Sequence, residues 1–155
     1  MPLPWPELLL AGALIRVAPL AAQQGKELGV QLVATASDPA LAVAGVYGGV
    51  RTSARTRLSA AAGAGVSSGD LAFRGEVLGH FLLSPNQRQG PGFYFAGGLA
   101  AVEGPVDRGY LVLTVGLENR PAAASGWGVE VGVGGGVRVM LGYRWRWLHA
   151  ATGGS

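Results

Sequence analysis

Few side chains in this sequence could carry out a reaction. His80 shares a strand face with Glu76 and precedes Ser84, and serine, histidine and carboxylate are the set that a lipid-ester hydrolase uses. An extended backbone holds residues 76 and 80 about 13 Å apart, too far for a histidine–carboxylate hydrogen bond. His80 is therefore expected to be a polar residue near a strand end, and no catalytic residue is assigned. The two histidines lack ligand-like spacing, so no zinc site is expected. Cysteine is absent, which removes disulfides and thiolate chemistry. Gly126-Trp127-Gly128 and the run Gly132-Val133-Gly134-Gly135-Gly136 are followed by neither a helix nor a Gly-Lys-Ser/Thr, so they do not form a phosphate-cradling loop. No cofactor is implied.

The element that must position such groups is legible in VRVMLGYRWRW, Val137 to Trp147. Alternate residues separate into Val137, Val139, Leu141, Tyr143, Trp145 and Trp147 on one side and Arg138, Met140, Gly142, Arg144 and Arg146 on the other. That is the period-two signature of a strand. If the arginines face bulk water, the strand belongs to a soluble barrel or sandwich with an aromatic core. If the aromatics face lipid, it belongs to a membrane barrel with a polar inside.

The same alternation recurs along the chain after Gly25. It predicts strands over Glu27–Ser37, Ala40–Arg51, Thr56–Val66, Leu71–Leu83, Phe93–Val102, Gly109–Glu118, Gly126–Val133 and Val137–Trp147. Turn chemistry such as Ser37-Asp38-Pro39, Ser67-Ser68-Gly69-Asp70 and Gly134-Gly135-Gly136 separates them. Connections this short join antiparallel neighbours, and eight such strands in sequential order close into a small barrel filled by its own side chains. The expected fold is thus all-β: one antiparallel up-and-down eight-stranded barrel over 26–147, behind a signal-like segment at 1–22 and ahead of a tail at 148–155.

The polar faces carry the second clue. A solvated sheet shows Lys, Glu, Thr and Gln, whereas here Gly, Ala and Ser surround isolated charges, as with Arg57, Ser59, Ala61, Gly63 and Gly65. Small residues beside long ones suit a narrow lumen. The mid-strand charges form a nearly balanced set that could pair across a closed interior: Arg74, Arg138, Arg144 and Arg146 against Glu76, Glu118 and Glu130. Balance is what burial demands, because an unpaired buried charge costs about 3–5 kcal/mol. The opposite face is left as an uncharged apolar band, with Trp127, Tyr143, Trp145 and Trp147 placed to form an interfacial girdle.

Composition and the N-terminus bear on location. Charged residues are 14% of the 155-residue chain and hydrophobic residues 49%, and mean hydropathy is +0.33. The excess of +3 is almost wholly arginine, since Lys26 is the only lysine, and this is too small and scattered for a nucleic-acid partner. Leu8 to Ile15 is a short apolar run followed by Ala18-Pro19-Leu20-Ala21-Ala22-Gln23, the pattern of an export signal cut near Ala22. A retained anchor helix is the alternative, but the run is well short of the roughly 20 residues needed to span a bilayer.

Strand number, dyad alternation, the signal-like segment and the terminal Tyr143-Arg144-Trp145-Arg146-Trp147 together give a chain that resembles the small eight-stranded outer-membrane barrels of diderm bacteria, the outer-membrane protein A transmembrane-domain type. The resemblance implies bacterial outer-membrane residence, membrane lipid as a partner and a structural or interaction role, with another envelope or membrane protein as a further partner. Two other readings stay open. One is an exported soluble barrel of lipocalin or avidin type, periplasmic or secreted, with Phe73, Val77, Phe81, Leu111, Leu113, Trp127 and Val129 lining an apolar ligand cavity. The other is an accessory subunit packed on a larger membrane complex.

Overall fold

The computed structural model describes residues 25–147; the signal-like segment 1–22 and the tail 148–155 lie outside the described residues. Eight strands follow one another: β1 (Lys26–Ala36), β2 (Leu41–Arg51), β3 (Thr56–Ser67), β4 (Asp70–Leu82), β5 (Pro91–Glu103), β6 (Arg108–Asn119), β7 (Ser125–Val133) and β8 (Val137–Trp147). Each pairs antiparallel with its sequence neighbour, and β1 pairs with β8 from Lys26↔Trp147 to Ala36↔Val137. The sheet is therefore a closed up-and-down barrel without a free edge. Strand existence and order follow the alternation read from the sequence. Strands β4, β5 and β6 begin earlier than expected, at Asp70, Pro91 and Arg108, because the hydrogen-bonded ladder runs past the apolar band into polar rim residues.

The barrel is turned inside out relative to a water-soluble protein. Glu27, Arg57, Arg74, Glu76, Glu118, Glu130, Arg138, Arg144 and Arg146 are buried, while large apolar side chains project outward from every strand. Leu111 is 64% exposed and Arg138 is 0% exposed, which fixes the sense of the alternation. The apolar ligand cavity of a lipocalin-type barrel is consequently absent among the described residues. Phe73, Val77, Phe81, Leu111, Leu113 and Trp127 face out, and Val129 is only partly covered. The reason is steric: the other face carries the glycines, and only small residues leave an eight-stranded interior room for guanidinium groups.

Closure also brings backbones close. A side chain at Gly132 would place its Cβ 2.7 Å from Thr114 Cα, and one at Gly65 would lie 2.6 Å from Val43 Cα. The interior is not uniformly polar, in contrast to the expected polar lumen. Three apolar clusters interleave with the charges: Val33, Leu41, Val43, Ala72, Val102 and Met140; then Leu78, Ala100 and Val112; then Leu82, Tyr94 and Ala96. They were hidden in runs such as Leu41-Ala42-Val43, where both faces are apolar and alternation gives little contrast.

Candidate functional site: the charged lumen

Inward-facing positions of six strands supply the lumen charges, and they sort into two networks. In the first, Arg138 from β8 bridges two carboxylates. Its Nη1 donates to Glu130 Oε2 at 2.6 Å and its Nη2 to Glu76 Oε1 at 2.8 Å. Arg74 Nε donates to Glu76 Oε2 at 3.0 Å. Glu130 also accepts from the Tyr94 hydroxyl at 2.8 Å and from Thr114 Oγ1 at 3.4 Å.

The second network lies toward the end that carries the chain termini. Arg144 Nη1 and Arg57 Nη1 donate to Glu118 Oε2 at 2.5 and 3.2 Å. Arg146 Nη2 donates to Glu27 Oε2 at 3.0 Å, and Arg57 Nη1 stands 3.1 Å from Glu27 Oε1. Thus Arg74, Glu76, Glu130 and Arg138 meet in one group, Glu118 and Arg144 in the other, and Arg146 pairs with a residue absent from the sequence-based set. That residue, Glu27, sits on the inward register of β1, and counting β1 in the charge balance would have found it. Arg57 is a second omission of the same kind. Its guanidinium lies 5.2 Å from the centre of the Tyr94 ring, which links the two networks.

Pro121 carried no sequence signal at all. Arg120 has φ 48°, turning the 120–124 connection inward so that Pro121 is fully buried. The Pro121 carbonyl then accepts hydrogen bonds from Arg51 Nη2 at 3.3 Å, from Arg144 Nη2 at 3.4 Å and from Arg146 Nη1. Backbone bonds from Arg120 to Gly90 and from Ala122 to Gln87 tie this connection to residues 83–90. The two connections together cover the lumen at that end. Between the networks remains a cavity of about 30 Å³, touched by Gln31, Tyr47, Glu76, Tyr94 and Met140.

His80 is buried within the barrel, and its partners are not those of a triad. Ser59 Oγ lies 2.8 Å from Nε2, and Arg57 Nη2 lies 3.1 Å from Nδ1. A guanidinium can only donate, so Nδ1 accepts and Nε2 carries the hydrogen toward Ser59. That tautomer cannot take a proton from the serine. Ser84 lies past the end of β4, in the 83–90 connection, and the hydrogen-bond partners of His80 are Ser59 and Arg57 instead. No cluster of three or more metal-ligating side chains occurs among the described residues.

The girdle aromatics lie on the outer surface. Trp127 pairs across the strands with Tyr143, and Tyr143 packs edge-on against Trp145 at 5.1 Å between ring centres. Trp147 completes the group at the end with the termini, and Phe81, Phe93 and Phe95 extend it around β4 and β5. No described helix is long and apolar enough to cross a membrane, a criterion that does not bear on strands.

No family model matches the chain, and no curated protein matches it. Among solved structures it is similar to the crystal structure of the N-terminal β-barrel domain of Pseudomonas aeruginosa OprF, with 11% sequence identity and a TM-score of 0.64. The alignment covers 81% of this chain and 100% of that one. At this identity the likeness is one of fold, and the chain shares with that domain the closed eight-stranded barrel that its alternation of residues resembles.

Proposed function

We propose that the chain is an exported outer-membrane β-barrel of the bacterial envelope, with a structural or interaction role and a closed, charge-paired lumen. The observation that carries this reading is the inverted burial. Paired Arg and Glu fill the inside, and an uncharged apolar band with a tryptophan-rich rim surrounds the outside. Strands of 9 to 13 residues suit the role. A transmembrane strand needs about 9–11 residues at a tilt of roughly 45°. Closing the sheet pairs every strand with two neighbours, the condition for spanning hydrocarbon.

Membrane lipid is the partner this surface fits, and nucleic acid is not, because five arginines are buried in the lumen and the exposed ones, Arg55, Arg88, Arg108 and Arg120, are scattered over the connections and rims. A structural or interaction role is preferred to catalysis because His80, the buried histidine among the described residues, is held in the wrong tautomer beside Ser59. The experiment is tryptophan fluorescence of the mature chain refolded into liposomes, with and without lipids brominated along their acyl chains. Strong quenching of Trp127, Trp145 and Trp147 is expected. Unquenched emission from a chain that stays soluble without detergent would overturn the reading.

A further inference from the structure

We propose that the mouth of the lumen at the end opposite the chain termini is a binding site for one small monovalent anion of halide size, held by Arg74 and Thr35. Arg74 spends only its Nε on Glu76, and the carboxylate's other oxygen is taken by Arg138. The two terminal nitrogens of Arg74 are buried and have no hydrogen-bond partner, although the residue is 3% exposed. The Thr35 hydroxyl is likewise buried without a partner, in a residue 4% exposed. These donors border a cavity of about 20 Å³ that Ser67, Tyr110, Gly134 and the rim residue Arg108 also line.

Two features favour an anion over solvent alone. The cavity wall carries two arginines and no carboxylate. Two terminal guanidinium nitrogens left facing one cavity make a charge-assisted donor pair, which a halide satisfies better than water does. Size then restricts the ligand. A water needs roughly 10–15 Å³ on this measure, so the space suits one particle of about water or halide size. Gly134 lines the space beside Arg74 Nη2, where a Cβ would meet Val112 Cγ2 at 3.1 Å.

The test uses bromide as the probe on the full chain refolded into detergent micelles. Crystals grown with bromide should show an anomalous-scattering peak within hydrogen-bond reach of the Arg74 terminal nitrogens. The thermal midpoint should be higher in sodium bromide than in sodium gluconate at equal ionic strength. Thr35→Val keeps every ion pair and should raise the bromide concentration of half-effect about five-fold, the worth of one hydrogen bond. Arg74→Gln should abolish the salt difference, and Arg88→Gln, an exposed control at the other end, should preserve it. A site holding only water, equal midpoints in the two salts, or a peak that Thr35→Val leaves at full strength would each overturn the assignment.

Discussion

Tyr94 lies flat across Gly116, the residue directly opposite it on β6, and from there its hydroxyl reaches Glu130 on β7. Tyr47 repeats the arrangement over Gly29, its own cross-strand partner on β1. In both pairs the glycine is the space that the ring occupies, so ring and glycine act as one unit of lumen packing. Gly116→Ala should therefore push Tyr94 off its seat and break the bond to Glu130. A loss of about 1–3 kcal/mol is expected, read from denaturant unfolding of the barrel in lipid vesicles.

The charged lumen should respond to loss of a single partner more sharply than its surface counterparts do. Glu118→Ala strands Arg144, whose one ion pair it is, and leaves Arg57 with Glu27 alone. Unfolding free energy should fall by about 3–5 kcal/mol, since the Arg144 guanidinium stays buried without its counter-charge. Loss of Glu103, an exposed carboxylate at the strand rim, should change stability by less than about 0.5 kcal/mol.

The outer face gives the opposite test. Val115 projects outward near the middle of β6, and Val115→Arg should destabilise the barrel in a bilayer by about 2–4 kcal/mol. Gly132→Arg, on the neighbouring inward register, should fail to fold, because Thr114 already fills the place its side chain would need. Normal folding of both variants in a vesicle gel-shift assay would show the faces reversed.

The histidine yields a spectroscopic prediction. Nitrogen-15 shifts of His80 should report the Nε2–H tautomer, because Arg57 donates to Nδ1. Phospholipid-ester hydrolysis by vesicles carrying the protein should not exceed that of His80→Ala. Turnover that Ser84→Ala removed would sink the non-catalytic reading.

Much of the site was legible before folding, for a physical reason. Strand side chains alternate with a period of two, so Arg138, Arg144 and Arg146 had to share a face, and Trp145 and Trp147 had to share the other. Glu27 and Arg57 obeyed the same rule and needed only to be counted. Pro121 did not: its place in the lumen depends on a positive φ at Arg120 and on hydrogen bonds from three arginines on two strands. The apolar clusters escaped because Leu and Val stand on both faces of the strands that supply them.

By itself the sequence determined strand number, strand order and the division of residues between two faces, since turn residues and dyad alternation are local properties. Alternation alone could not determine which face turns inward, because a period-two pattern is unchanged when inside and outside are exchanged; only the small residues and balanced charges of the polar face pointed to it. Tertiary closure decided that, since an eight-stranded interior accepts glycine, alanine and a paired set of charges but has no room for the aromatic face as well. Closure alone also set Glu27 against Arg146, which are 119 residues apart in the chain and become neighbours only when β1 meets β8.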